Sequence, residues 1–572
     1  MPTPSWRAEG NTALSVMREL WVGPARSEIL CTYGTSMSEN REIPRSPVGL
    51  VSEMGVVPTD RGLGGTLGEG DCRKLEMHER GKSDRPVVPA KPPNKPGRLG
   101  AEVVEGRGLA KGNMASETRS GHCADEGVSS ALGRVRRAAE KDKDVRFTAL
   151  LHHVTVDRLR SAYEALSRNA AAGVDGVTWH GYGQDLEAKL RDLHGRVQRG
   201  GYRAKPVRRV FIPKADGRQR PLGVAALEDK LLQRAVVEVL NAIYEADFVG
   251  FSYGFRPGRS PHHALDALAV GIERRKVNWI LDADIHDFFG SLDRGWLEKF
   301  LEHRIADKRV LRLIGKWLKA GVIEDGEWSE TVQGTVQGAS VSPLLANVYM
   351  HYVFDLWAEQ WRRRYAHGDV ILVRFADDYI AGFQRRGDAQ RFLADLRGRL
   401  AEFNLELAAE KTRLIEFGRF AARDRKTRGL GRPETFAFLG FTHICAKDSR
   451  GRFMLKRITI KKRMSAKLRE VKLELKRRRH QPIPEQGQWL GSVVRGHFAY
   501  YAVPGNGHAL FAFRGQVTRH WRRALRHRSQ RTRLDWERMD RLATRWLPPA
   551  RIQHPWPDQR FDARTQGRSP VR

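Results

Sequence analysis

The sequence predicts an α+β fold, with sheet in the middle of the chain and a helical, strongly basic part after residue 447. Two observations predict the sheet. Residues 370–383 read VILVRFADDYIAGF, two apolar β-type runs with Ala-Asp-Asp between them. Residues 277–293 read VNWILDADIHDFFGSLD, an apolar strand start followed by two carboxylates. Alternation puts Val370, Leu372 and Arg374 on one strand face and Ile371, Val373 and Phe375 on the other, while Asp282 and Asp284, at i and i+2, share a face. A third observation predicts the helices: in residues 458–480, Met464, Leu468, Val471 and Leu475 recur at helical spacing among lysines and arginines.

In chain order, residues 1–140 come first. They are rich in Gly, Pro, Ser and Glu, show no sustained period of 2 or 3.6, and contain PVVPAKPPNKPGRLG (86–100). Such a stretch does not bury enough apolar surface to fold alone, so it reads as a disordered arm or as translated RNA upstream of the true start, with Met114 an alternative initiator. Recognisable structure is expected from about residue 141, where Leu150, Leu151, Val154, Leu159, Tyr163 and Leu166 give a helical face and Asn169–Gly176 a glycine-marked loop. That loop lacks the Gly-Lys-Ser/Thr element of a phosphate-binding P-loop.

The two acidic strands come next. Adjacent carboxylates repel and are costly to desolvate, so neither a sheet nor a core calls for them. A solvated hairpin tip would explain Asp377-Asp378 alone. A third acidic residue on a similar strand points instead to a divalent cation, because hard cations take carboxylate oxygens and a tight hairpin presents them rigidly. Two such strands side by side would make a two-metal site suited to nucleotidyl transfer, which asks a protein for little beyond positioning and charge neutralisation.

As an ordered set these segments resemble the reverse transcriptases encoded by group II introns. FADD (375–378) is similar to their YADD box, DADIHDFF (282–289) to their first catalytic-aspartate motif, and GTVQGASVSPLLANVYM (334–350) to their PQG-x-x-x-SP-x-L-x-N segment. RRVFIPKADGRQRPLGV (208–224) and FSYGFRPGRSPHHAL (251–265) resemble the fingers motifs, and EFNLELAAEKTRLIEFGRFA (402–421) and FAFLGFTHICAK (436–447) the two closing palm motifs. The likeness runs from about residue 145 to 562, and the ending LPPARIQHPWPDQRF (547–561) resembles bacterial class C intron proteins. It implies a right-hand polymerase, with fingers and an antiparallel palm sheet followed by an all-α thumb or maturase domain. The implied boundaries are an N-terminal extension at 141–200, fingers and palm at 201–446, thumb at 447–562 and a tail at 563–572.

The resemblance also assigns roles. Asp284, Asp377 and Asp378 become the catalytic metal ligands for two Mg²⁺ ions, with Ile285 in the same metal-binding set. Asp284 is preferred to Asp282 because the family's aspartate has an aromatic five residues on, and Phe289 fits that register. Phe289 becomes the steric gate against a ribose 2′-hydroxyl, although an ordinary core aromatic would also suit the position. Lys214 and Arg220 grip the triphosphate, Gln337 lies against the incoming nucleotide, and Lys411 matches a palm lysine. Three departures from the family pattern leave the carboxylates untouched: Phe375 replaces the usual Tyr, Val336 the usual Pro, and a second Gln-Gly pair stands at Gln333-Gly334.

The net charge of +34 points to a polyanionic partner, and its distribution says more. Residues 1–140 carry 20 basic and 18 acidic side chains, whereas residues 447–572 carry 32 and 9, a net of +23. An RNA surface is therefore expected after the palm, at Lys476, Arg477, Arg478 and Arg479 and at Arg522 and Arg523. Phe498, Tyr500, Tyr501 and Trp521 lie among the basic residues and suit stacking on bases, with thumb core the better reading for Phe498 and Tyr501.

The expected function is RNA-directed DNA polymerase and maturase: binding the intron RNA, assisting its splicing and copying it into DNA during retrohoming. Intron RNA, a DNA target and primer, and dNTPs are the expected partners. A bacterial cytoplasm, with nucleoid association through nucleic acid, is the expected setting. The rivals are a retron- or CRISPR-associated reverse transcriptase, disfavoured by the basic tail, and a non-catalytic splicing factor, disfavoured by the intact aspartates. Cys31, Cys72, Cys123 and Cys445 form no zinc spacing, no HNH nuclease tail follows, and no run approaches a membrane span.

Overall fold

The computed structural model describes residues 123–213, 219–324, 327–329, 338–528 and 534–565. Its first element, the helix Cys123–Lys141, lies mostly within the stretch read from sequence as leader. Val135 and Ala139 are buried against the helix Leu227–Asp247. The six apolar residues from Leu150 to Leu166 all enter the core, but not on one helix. A 3-10 turn, Leu151–His153, stops at Val154, and the Thr155 hydroxyl then caps a new helix, Val156–Glu164, by accepting from the Arg158 amide.

Three sheets follow. The strands β1 (Val207–Pro213) and β2 (Gln219–Val224) form an antiparallel pair, extended by β4 (Val322–Glu324) and β5 (Glu327–Ser329) in the order β2-β1-β4-β5. The acidic sheet is built from β3 (Trp279–Ala283), β6 (Val370–Phe375), β7 (Asp378–Phe383) and β8 (Arg413–Glu416), ordered β6-β7-β3-β8 with every pair antiparallel. A third sheet, β11-β10-β9, joins β9 (Phe436–Phe438), β10 (Phe441–Lys447) and β11 (Phe453–Thr459).

The alternation predicted for β6 is what anchors the acidic sheet. Val370 and Leu372 enter a large cluster with Leu281, Tyr379, Ala381 and Phe383, backed by the helices Leu227–Asp247, Ser342–Met350 and Arg386–Ala401. Ile371 and Val373 face the other way, with Ile280, Ile380 and Ile415, into a second cluster beneath the helix Pro261–Arg274 and the third sheet. With apolar surface removed from water on both faces, the register of these strands is tightly fixed, since a one-residue slip would expose both sets.

Beyond the third sheet the chain is helical: Lys461–Arg477, Ile483–Tyr501, Gly507–Arg526 and Trp536–Trp546 enclose their own core. Val471 and Leu475 are buried in it, with Met464 and Leu468 packed at its edge. A last helix, Pro557–Thr565, packs back on Pro261–Arg274, where Arg560 pairs with Asp266 and Arg274 with Asp562 at 2.6 Å.

Candidate active site

The hairpin joining β6 to β7 is as short as the sequence suggested. Phe375 pairs with Asp378, so Ala376 and Asp377 alone make the turn, and Ala376 takes a left-handed backbone with φ of 59°. Asp377 sits in the turn and Asp378 opens β7. Strand β3 lies directly beside β7, with Asp282 opposite Ile380 and Ala283 opposite Tyr379. The pairing ends there, with Asp284 the next residue after β3 and Asp378 the first of β7. Cross-strand partners share a face, so Asp282, Asp284 and Asp378 point to the same side of the sheet at the same end.

The gathered charge bears on how these carboxyls titrate. Crowding by protein atoms and then the like charges of Asp377, Asp284 and Asp282 push the Asp378 carboxyl up to about 7, although water at its open edge screens part of this. Burial first, then Asp284, raises Asp282, while a hydrogen bond from Arg413 opposes the rise. Two cations answer the carboxylates from the opposite side of β3. Arg413 faces Asp282 across the β3–β8 pair and donates to it at 3.1 Å, and Lys411 is bonded to Asp284.

The donor set, four carboxylates on one rim, suits a hard divalent cation. Among the described residues no three acidic, His or Cys side chains are drawn together closely enough to grip an ion as they stand. Asp284 is turned to Lys411 instead, so an incoming metal has an ammonium to displace. Ile285 follows Asp284 directly in the chain. Its side chain is 3 % exposed within the large core, and its backbone bridges to Leu407, so only its carbonyl has ligand chemistry.

Phe289 lies in a one-turn helix, Phe288–Ser291, half-buried against the large core, its ring edge-on to Phe288 with centroids 5.4 Å apart. Arg220 stands in β2 opposite Ile212. Lys214 and Gln337 lie outside the described residues.

The expected RNA surface divides. Lys476, Arg477 and Arg523 are exposed. Arg478 is held within the helical unit: Nε donates to Glu474 at 2.8 Å and the guanidinium lies 5.1 Å from the Trp489 ring centre. Arg479 is half-buried, and its carbonyl accepts from Gln486. Arg522 donates to the Leu534 carbonyl and covers the Trp536 ring at 4.4 Å. Trp521 is a correction: it is fully buried, with its indole N–H on Gln486, so it offers no face to a base. Phe498 is likewise core. The large aromatics exposed in this unit, among the described residues, are Phe511, Trp536 and Trp556.

Sequence reading missed Arg413. Its signal was present: Arg413 and Lys411, at the start of β8 and two residues before it, repeat the i, i+2 spacing of Asp282 and Asp284 at the end of β3.

Residues 212–443 match the family model described as reverse transcriptase (RNA-dependent DNA polymerase). The chain is 31 % identical over 324 residues to protein YkfC of Escherichia coli (strain K12), an alignment covering 50 % of this chain and 84 % of that protein. It is 35 % identical over 222 residues to the group II intron-encoded protein LtrA of Lactococcus lactis subsp. cremoris, covering 38 % of this chain and 37 % of that protein. It is also 41 % identical over 146 residues to an uncharacterized 91 kDa protein in the cob intron of Schizosaccharomyces pombe, covering 26 % of this chain and 18 % of that protein. The chain thus spans a little over a third of LtrA and most of YkfC.

Proposed function

We propose that this chain, which belongs to the reverse transcriptase family in its group II intron-encoded branch, copies its intron RNA into DNA at Asp284, Asp377 and Asp378 and acts as the maturase of that intron. The observation that carries the reading is the β3–β7 register, which brings Asp284 to the same end of one sheet as the Asp377-Asp378 turn. Reverse transcriptases use divalent metal, nucleic acid and dNTPs; we take the metal to be two Mg²⁺ ions held by these three aspartates. When bound, such ions activate a primer 3′-hydroxyl and neutralise charge on the leaving pyrophosphate.

The chain's own residues do the rest by position. The two-residue turn sets the backbone from which Asp377 and Asp378 project, and the double-sided packing of β6 and β7 holds the turn itself. Lys411 and Arg413 balance Asp284 and Asp282 before a metal arrives. Phe289 serves as the wall that refuses a 2′-hydroxyl. Lys214 and Arg220 grip the triphosphate, which suits charge-assisted contacts to phosphate, and Gln337 contacts the nucleotide.

Strand, sheet and helix thereby take the places of a right-hand polymerase. The acidic sheet is the palm, β1 and β2 belong to the fingers, and the helices from Lys461 form the thumb. The exposed cations Lys476, Arg477 and Arg523 supply contacts to intron RNA. No helix among the described residues is long and apolar enough to cross a membrane; a cytoplasmic setting with access to the nucleoid suits the partners.

The deciding experiment is primer extension on an RNA template with dNTPs and Mg²⁺, paired with a splicing assay on the flanking RNA. Extension together with faster splicing supports the reading in full. Faster splicing without extension would assign the chain to the non-catalytic splicing factors, and extension without splicing to a retron-like enzyme.

A further inference from the structure

The strand that leads into the acidic turn carries one charge, Arg374, and buries it: the side chain is 1 % exposed. A guanidinium has five N–H donors, and here five acceptors meet them. Nε donates to Asp355 Oδ1 at 2.7 Å, and Nη2 to Asp355 Oδ2 at 2.6 Å and to the Ser252 hydroxyl at 2.7 Å. Nη1 donates to Asn347 Oδ1 at 3.1 Å and to the main-chain carbonyl of Ala376 at 2.8 Å. Asp355, Asn347 and Ser252 are themselves buried.

The knot is tied from several directions. Asn347 donates its amide to the Gly254 carbonyl at 2.7 Å. The Arg374 backbone exchanges hydrogen bonds with Phe251 and Tyr253, both at 2.9 Å. A Cβ on Gly254 would lie 2.2 Å from the Ala376 nitrogen, so that segment presses directly on the turn. Segments distant in sequence thus converge behind Ala376, the turn residue with a left-handed backbone.

A buried ion pair is weak support for stability, since an apolar pair of equal volume often serves a core as well. What an apolar pair does not do is grip a carbonyl. We propose that Arg374 is a positioning residue of the polymerase: anchored by Asp355, Asn347 and Ser252, it holds the Ala376 carbonyl, and so the peptide plane entering Asp377. It thereby sets the direction in which Asp377 and Asp378 are presented. The proposal rests on the reading of those two aspartates as catalytic.

The test is Arg374→Lys in the full chain. Lysine keeps the charge but has three donors for five acceptors. The variant should still melt cooperatively and bind a template–primer duplex as wild type does. Its extension rate at saturating dNTP should fall about a hundredfold, the scale of an ångström-sized misplacement, and half-maximal activity should need several-fold more Mg²⁺. Adding Ala376→Gly to Arg374→Lys should recover about tenfold of the rate, because glycine adopts the left-handed conformation without being held there.

A role in core packing alone predicts neither the Mg²⁺ shift nor the recovery. If Arg374→Lys does not fold, Ser252→Ala decides: it keeps the ion pair and removes one acceptor, and it should shift the Mg²⁺ midpoint in the same direction. An unchanged midpoint in whichever variant folds overturns the proposal. Wild-type protein that extends no primer overturns instead the reading of the site.

Discussion

Asp378 is where chemistry and stability pull against each other. Its pKa is raised from the usual carboxylate value to about 7, so between about pH 4 and 7 the folded chain holds a proton that the unfolded chain has released. Metal-free stability therefore falls as pH rises through that window, and the destabilisation is fully present above it. Asp378→Asn should raise the melting temperature in chelator at pH 8 and by much less at pH 5; an equal gain at both pH values would reject the shift. Asp377→Asn should cut Mg²⁺-dependent extension below about a hundredth of wild type, the scale set by removing ~3 kcal/mol of transition-state charge stabilisation, with RNA affinity unchanged. Higher residual activity would remove Asp377 from the ligand set. Phe289→Ala should admit ribonucleotides, read as the ratio of incorporation efficiencies for a matched ribo- and deoxynucleotide; a constant ratio would send the register back to Asp282. That Asp284 would gather with Asp377 and Asp378 was legible in the sequence, because carboxylates on two apolar strands are costly for a core to hold. Arg374 was not, because its partners at 252, 347 and 355 are joined to it only by the fold.

Among the elements, the strands read more cleanly than the helices. Period-two alternation assigned each residue of β6 to a face, and the structure gives each face its own core. The run from Leu150 to Leu166 read as one helical face because side chains from a 3-10 turn and a following helix converge on the same core, while the break at Val154 and Thr155 left only a capping threonine as its sign. The basic cluster after Leu475 shows the same limit. Charge counts treat Lys476 to Arg479 alike, yet the helix ends at Arg477 and the chain turns there, sending Arg478 and Arg479 inwards. Lys476→Ala with Arg477→Ala should therefore weaken intron RNA binding without lowering the melting temperature. The log–log salt slope should shrink by about 0.7 to 0.9 for each phosphate no longer neutralised. Arg478→Ala should instead lower the melting temperature, because Glu474, Gln481 and the Trp489 face would be left without their shared cation. Filter binding across a salt series, beside thermal melts of both variants, separates the two; a flat response in the double variant would move the RNA surface towards Arg523.

For the molecule as a whole, the helix Cys123–Lys141 places ordered chain ahead of the expected boundary at 141. The Arg304 guanidinium, paired with Asp247 at 2.9 Å, donates to the carbonyls of Ala139, Asp142 and Val145 and so clamps the end of that helix. A chain begun at Met114 should melt and extend primers like the full chain, whereas one begun at Asp142 should melt several degrees lower; equal melting of the two would strip the helix of its role. The pairs Lys411–Asp284 and Arg413–Asp282 have a bearing on the protein's life before its first turnover. A rim of bare carboxylates would make the newly made chain dependent on ion supply, much as a zinc finger is unfolded without zinc. With Lys411 and Arg413 as countercharge, the chain should fold without divalent metal and wait in an idle form, so that chelation silences it reversibly rather than denaturing it.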